Sequence, residues 1–208
     1  MPNPPYATSI DLLTLHTLRC IGFAGLPRVA QAIGLPESDV ESELIDLAVA
    51  GLVTYASGDF GGWGLTEAGV AADAERISAE LDAAGTRATV SRAYDGFLVL
   101  NPELLDLCTA WQLRSVDGVA VPNDHTDSAY DSRLLARFAD LDQRADGACA
   151  DLFASMLRFR RYRTRLTTAL TRAGSGALDY VSDDLESYHT VWFQLHEDLL
   201  VTLGIPRH

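Results

Sequence analysis

The sequence predicts a mainly α-helical protein in two parts, and three observations lead to that fold class. Over residues 1–77, apolar residues recur with helical spacing in three segments. A glycine-rich hairpin pattern and a fourth helix start follow them. Over residues 78–208, long helical patterns alternate with short segments rich in Gly and Pro. We therefore expect a small helical domain that carries one β-hairpin, followed by an all-α bundle.

Two helices open the N-terminal part. The first is predicted over Ile10–Ile21, where leucines recur with the spacing of an amphipathic helix. The second, at about residues 27–33, is short and lies between Gly25 and Gly34. Their apolar faces predict a shared core with the helix that follows.

The third helix lies within residues 36–50. Ser38 stands three residues before Glu41, which predicts a capping box at its start, and Gly51 is expected to end it. Its inner stripe is formed by Val40, Leu44, Leu47 and Ala48. The remaining positions must face outward, and most of them are acidic.

A β-hairpin follows the third helix. The segments LVTY (52–55) and WGLT (63–66) are predicted to be its strands, and SGDFGG between them suits a tight tip. Thr66 is expected to cap a fourth helix that begins with EAG.

This order of helices and hairpin resembles the MarR-like winged helix-turn-helix transcriptional regulators. The resemblance is carried by GLPESDVESELIDLAVAGLV followed by LTEAG, and it covers about residues 9–75, a third of the chain. It implies a homodimeric regulator whose third helix reads a DNA operator. The helical domain would then sense a small-molecule effector or form the dimer. Winged helices also serve as protein-docking modules, so the fold alone does not fix the function.

The charge distribution conflicts with DNA reading. The chain has a net charge of −13, and residues 1–85 hold only three Arg against twelve acids. The third helix carries Glu37, Asp39, Glu41, Glu43 and Asp46, without a single Arg or Lys. The hairpin tip offers Asp59 where a winged helix usually presents a cation, and carboxylates repel phosphate. The alternative is therefore a module that does not bind DNA and whose acidic winged helix docks a basic protein partner.

The C-terminal part is predicted to contain four or five helices. The first expected helix covers 78–100, where Gly85 or Gly96 could break it, and Asn101 and Pro102 open the next helix. A loop is expected at 114–129. Three further helices are expected at 130–145, 148–172 and 182–203. The first 77 residues and residues 78–208 are taken as the two domains.

Two groups of residues are candidates for a ligand pocket. His189, Trp192 and His196 lie on the apolar stripe of the last helix, and Trp111 and Gln112 form a second aromatic and amide pair. Each group can equally be part of the core. The two histidines are two turns apart, about 10 Å along a helix, which is too far for one metal ion. The sequence therefore predicts neither a metal site nor a cofactor.

Three arginines, Arg158, Arg161 and Arg165, share one face of the predicted helix 148–172. With Arg28 they are the candidates for contact with DNA or another anion. The alternatives are a solvated face paired with nearby acids and a docking surface for the acidic N-terminal part.

Other signals exclude several classes of protein. No catalytic motif is found, so the chain is not predicted to be an enzyme. Three widely spaced cysteines predict free thiols in a reducing compartment. No secretory signal or membrane-length apolar run is present, so a cytoplasmic location is expected.

Overall fold

The computed structural model describes residues 4–58, 60–116 and 118–206, so Asp59, expected at the tip of the first hairpin, lies outside the described residues. The mainly α-helical prediction is confirmed. Within these ranges the chain forms eight α-helices and two separate antiparallel hairpins. None of these helices combines the length and the apolar character needed to cross a membrane.

Helices predominate along the chain, and the two hairpins interrupt them. In chain order the elements are α1 (Ile10–Ile21), α2 (Leu26–Ile33), α3 (Glu37–Val49), β1 (Val53–Ala56), β2 (Gly62–Leu65), α4 (Glu67–Ala84), α5 (Arg87–Gln112), β3 (Leu113–Val116), β4 (Val119–Pro122), α6 (Ser128–Ser155), α7 (Arg160–Gly174) and α8 (Tyr188–Leu203). Short 3-10 helices at Leu157–Phe159 and Leu178–Tyr180 precede α7 and α8.

The chain divides into two compact units. The first unit comprises the described residues up to Ser91, together with Leu152–Arg161 and the described residues from Gln194 onward. The second unit comprises Arg92–Asp151 and Tyr162–Phe193. Each unit therefore contains segments that are distant in sequence.

The core of the first unit is an apolar cluster from α1, α2, α3 and β1. Val40, Leu44 and Leu47 of α3 are buried in it, as the inner stripe of that helix predicts, and Ala48 packs against it while half-buried. The cluster also contains Leu15, Leu18, Ala24, Val29, Ala30, Ile33 and Val53. This packing fixes which face of α3 is left toward the solvent.

The start of α3 differs from the prediction. The helix begins at Glu37 with Pro36 as its N-cap, and no side chain caps it. The Ser38 hydroxyl lies inside the helix and donates to Asp39 Oδ1 at 3.2 Å, so the predicted capping box is wrong. At the other end Gly51 adopts a φ of 74°, and its N–H donates to the Ala48 carbonyl at 2.9 Å. This is the glycine-dependent helix ending that the sequence predicts.

In the first hairpin, β1 begins and ends one residue later than predicted, and β2 begins and ends one residue earlier. The register of the hairpin pairs Val53 with Leu65 and Tyr55 with Trp63. The predicted cap of α4 is confirmed, because Thr66 Oγ1 accepts a hydrogen bond from the Gly69 N–H at 3.0 Å.

Several predicted boundaries in the remainder of the chain are wrong because tertiary contacts override local signals. Helix α5 continues through Asn101 and Pro102, and the Asn101 side chain accepts the Trp192 indole N–H at 3.0 Å. Helix α6 continues through Gly147, where the sequence suggested a break between two helices. The predicted loop 114–129 contains most of the second hairpin, formed by β3 and β4.

The predicted helix 148–172 is interrupted at Met156. Tyr6 forms a short parallel bridge there: its N–H donates to the Ser155 carbonyl at 2.8 Å, and its carbonyl accepts the Leu157 N–H at 2.9 Å. These bonds replace the helical pattern, so the arginine segment starts with a 3-10 turn. The last helix begins at Tyr188 and not at 182, because turns occupy the preceding residues.

Candidate docking face and buried charge network

The outer side of α3 is an acidic face of the first unit. Glu37, Asp39, Glu41 and Asp46 are exposed on this helix. Apolar side chains lie among them, because Ile45 is 51% exposed and Val49 is 85% exposed. The acidic face, defined by these six residues, therefore combines negative charge with accessible apolar area.

A groove of 520 Å³ opens beside the acidic face. It is lined by Leu26, Pro27, Glu41, Tyr55, Gly61 and Trp63, so it lies between α2, α3 and the first hairpin. The rings of Tyr55 and Trp63 form its aromatic wall, with centroids 5.1 Å apart and planes inclined by 57°. Glu41 is the carboxylate that borders it.

Glycines place the aromatic pair in this groove. Trp63 exchanges two backbone hydrogen bonds with Ala24, at 2.8 and 3.0 Å, which hold β2 against the segment between α1 and α2. A Cβ on Gly62 would lie 2.8 Å from the backbone of Ala24, so only glycine permits this approach. A Cβ on Gly61 would lie 2.9 Å from the Tyr55 hydroxyl. The glycines of the hairpin thus serve close packing of the chain.

The charges around the groove are almost all negative. Residues 26–65 contain six acids and one arginine, Arg28, a net of 1 − 6 = −5. Arg28 lies on α2 and is half-buried. A cationic ligand would therefore be attracted to this side of the first unit, and a polyphosphate would be repelled.

Arg158, a candidate for DNA contact, is buried in the first unit instead. Its side chain has 0% exposure, and its Nε donates to Glu80 at 3.1 Å. One terminal nitrogen donates to Asp198, and the other donates to Thr202 Oγ1 at 2.7 Å. Every nitrogen of this guanidinium is committed to a protein partner, so Arg158 is not available to a DNA phosphate.

The other two arginines of this segment are also engaged. Arg161 donates to Asp198 Oδ2 at 3.1 Å and to Thr17 Oγ1 at 2.5 Å, and its side chain is 8% exposed. Arg165, in the second unit, forms two parallel bonds of 2.8 Å to the carboxylate of Glu186. The exposed arginine face expected from the helical spacing is therefore absent at these three positions. Acids pair with them, as the alternative interpretation supposed, but the pairs are buried at Arg158 and Arg161 and partly buried at Arg165.

His16 completes the buried charge network of the first unit. Its Nδ1 lies 3.0 Å from Asp73 Oδ1, and its Nε2 lies 3.1 Å from Asp198 Oδ1 and 3.6 Å from the sulfur of Cys20. The network comprises three carboxylates (Asp73, Glu80 and Asp198), two guanidiniums (Arg158 and Arg161) and this imidazole. A protonated His16 makes the formal charge zero, which a buried network requires.

The titration of the network follows from these contacts. Burial by itself lowers the pKa of His16, but the interactions with Cys20, Asp198 and Asp73 outweigh it and raise the pKa well above the ordinary 6.5. Burial raises the pKa of Asp198, yet the positive charge of Arg158 and His16 holds it well below the ordinary 3.8. Imidazolium and carboxylate are thus the stable forms near neutral pH.

The same cluster offers atoms that ligate metals. His16, Cys20 and Asp198 place one such atom each within 4.8 Å of one another. However, Asp198 also accepts hydrogen bonds from Arg158 and Arg161, so a bound cation would face two guanidiniums. We therefore interpret the cluster as an ion network.

Two aromatic candidates for a ligand pocket form part of the core of the second unit. Trp111 and Trp192 are buried, and a chain of ring contacts joins them through Phe138 and Tyr188, with centroids 5.8 to 6.5 Å apart. Trp192 also stacks on Phe97 at 4.4 Å. Packed rings of this kind fill space, so the core interpretation applies to both tryptophans.

The three polar candidates are more accessible than the tryptophans. Gln112 is exposed, and His189 is half-buried in the second unit. His196 is half-buried and belongs to the first unit. The five residues proposed for a pocket are therefore not gathered in either unit.

The main polar residues of the network were missed by the sequence patterns. Asp73 and Glu80 stand at helical spacing with the buried Ile77 and Leu81 of α4. Two acids within an apolar stripe indicate buried cationic partners, and this signal was present in the sequence. What the sequence could not supply was the identity of the partners, because Arg158 is 78 residues from Glu80.

A comparison of the chain with known protein families, curated proteins and solved structures gives no match.

Proposed function

We propose that the N-terminal residues up to the end of α4 form a winged-helix domain that acts as a protein-docking module in the cytoplasm. Its acidic face binds a basic segment of a protein partner. The observation that supports this proposal best is the composition of the exposed side of α3, which has four exposed carboxylates, two exposed apolar side chains and no cation.

Physical chemistry favours a basic partner on this face. Carboxylates that stand at a helix surface attract arginine and lysine over a distance of about 8 Å at physiological salt. Opposite charges on the two partners steer their encounter and fix its orientation. The apolar side chains of Ile45 and Val49 add area that becomes dehydrated on contact.

The same face is unsuited to reading DNA. Base edges in the major groove are read by Arg, Lys, Asn and Gln, and α3 contains none of these residues. The arginines that could have compensated, Arg158 and Arg161, are committed to the buried charge network. Every carboxylate of the acidic face would instead approach a phosphate of like charge.

A second candidate is a homodimeric transcriptional regulator that responds to a small-molecule effector. One observation favours it, namely the order of three helices, a hairpin and a helix in the first unit, as in winged helix-turn-helix regulators. Such a protein would have to contact its operator through a surface other than the outer side of α3.

Fluorescence anisotropy separates the two candidates. The protein is titrated into a labelled octa-arginine peptide and, separately, into a labelled DNA duplex of random sequence, at about 50 mM salt where phosphate contacts are strongest. We expect saturable binding of the peptide that weakens with salt, and no binding of the duplex. Binding of the duplex as tight as that of the peptide would overturn the docking proposal and support the regulator.

A further inference from the structure

We propose that the groove between α2, α3 and the first hairpin is a binding site for a single arginine side chain of the basic partner. The guanidinium would stack on the Tyr55 and Trp63 rings and pair with the Glu41 carboxylate. This inference rests on the proposed docking function and adds the side chain that anchors the partner.

The aromatic pair has the geometry of a cation site. Tyr55 and Trp63 face each other across the two strands, their rings are inclined by 57°, and both line the groove. Tyr55 is 55% exposed, so its ring is accessible. The faces of indole and phenol rings carry negative potential, which attracts a cation within about 6 Å of the ring centre.

Glu41 supplies the counter-charge. It is exposed on α3 and lines the same groove as the two rings. Among the described residues, no hydrogen bond or ion pair engages its carboxylate. A carboxylate next to aromatic faces therefore remains available to a cationic ligand.

Arginine fits a site of two aromatic rings and one carboxylate better than lysine does. Its guanidinium is planar, so it can lie flat on an indole ring while its edge donates two parallel hydrogen bonds to a carboxylate. Lysine offers a compact, strongly hydrated ammonium that does neither as well. The apolar sides of Leu26 and Pro27 in the groove suit the methylene stem of arginine.

The backbone position of β2 supports a preformed site. The backbone of Trp63 is held by its two hydrogen bonds to Ala24, and β2 lies so close to Ala24 that a Cβ on Gly62 would be 2.8 Å from its backbone. A ligand would therefore meet an aromatic wall that is already in place, which reduces the entropy lost on binding.

NMR spectroscopy tests the site with a small probe. The full chain has three tryptophans, and a Trp63→Phe variant identifies which indole N–H signal belongs to Trp63. The protein is titrated with N-acetyl-arginine methylamide and, as a neutral control of the same shape, with N-acetyl-citrulline methylamide. We expect a saturable shift of the Trp63 signal with arginine only.

Two exposed positions provide the variants. Glu41→Gln is expected to weaken arginine binding about fivefold or more, whereas Glu75→Gln, which removes an exposed acid of α4 that does not line the groove, is expected to preserve it. Unchanged methyl signals from core residues of the first unit, such as Leu15, Val29 and Leu44, verify that both variants are folded there. An equal shift with citrulline, no shift at Trp63, or full binding by Glu41→Gln would overturn the proposal.

These outcomes are independent of the docking test. If octa-arginine binds but the Trp63 signal does not respond to the arginine probe, the proposed docking function is supported and the proposed arginine site is overturned. If the probe binds at Trp63 with the predicted dependence on Glu41 but octa-arginine does not bind, the proposed arginine site is supported and the proposed docking function is overturned.

Discussion

At the scale of single residues, Arg158 and Asp198 connect most members of the buried charge network in the first unit. Both are fully buried, and each has several charged or polar partners. A buried ion pair adds little to stability compared with an apolar core, but removal of one partner leaves an uncompensated charge out of water. Substitution of Arg158 or Asp198 should therefore lower the free energy of unfolding much more than substitution of a residue in an exposed ion pair.

The substitution Asp198→Asn is expected to lower the free energy of unfolding by about 3–5 kcal/mol, because Arg158, Arg161 and His16 lose their shared counter-charge. Urea denaturation measures this change. Asp82→Asn is the matched control, since it breaks an exposed pair with Arg87 and should cost less than about 1 kcal/mol. Equal effects of the two substitutions would contradict the network.

The pH dependence of stability follows from His16. Because its pKa in the folded protein is raised above 6.5, its contribution to stability is fully present below that pH. The contribution is lost as the pH rises through the raised pKa. We expect the free energy of unfolding to fall as the pH is increased from 6.5, and this fall to be smaller in a His16→Gln variant. An identical slope in both proteins would show that His16 is not the titrating group.

At the scale of elements, the predictions that held depend on residues close together in sequence. The bounds of α1, the cap at Thr66 and the inner stripe of α3 follow from periodicity and local hydrogen bonding. The predictions that failed depend on distant partners. The break at Met156 is made by Tyr6, and the helical state of Asn101 accompanies its bond to Trp192.

The candidate site was predictable in part for the same reason. The acidic outer side of α3 follows directly from its sequence, because the burial of one helical face fixes the other. The groove as a whole was not predictable, since it also needs Leu26 and Pro27 of α2 and Glu41 of α3, whose position beside the hairpin depends on tertiary packing. The pairing of Tyr55 with Trp63 agrees with the predicted strands LVTY (52–55) and WGLT (63–66), which place these two residues opposite each other when they are paired end to end.

The first hairpin provides a prediction for an element. Gly62→Ala should destabilise the protein by about 1–3 kcal/mol, since the added methyl group would meet the backbone of Ala24. Gly147→Ala is the control, because a Cβ there meets nothing within 4 Å and the position lies inside α6. It should stabilise by about 0.4–1 kcal/mol. Thermal denaturation checks both, and a neutral Gly62→Ala would contradict the close packing.

At the scale of the whole molecule, the charge distribution separates two roles of charged residues. The chain has a net charge of −13, yet the buried network of the first unit is neutral when His16 is protonated. Much of the excess negative charge therefore lies on the surface, including the exposed side of α3. Surface charge of this kind governs which partners approach, whereas it has little influence on the fold.

The central claim is that the acidic face, and not the overall charge, binds a basic partner. The most direct test is the affinity of the Glu37→Gln, Asp39→Asn, Asp46→Asn triple variant for octa-arginine. It is compared with a control of the same net charge, Asp95→Asn, Asp106→Asn, Asp151→Asn, whose exposed acids lie in the second unit. We predict that the dissociation constant rises about tenfold in the first variant, since three surface charge contacts of up to about 1 kcal/mol each are lost, and changes little in the second. Equal weakening in both variants would show that octa-arginine responds only to net charge, and would contradict the docking face.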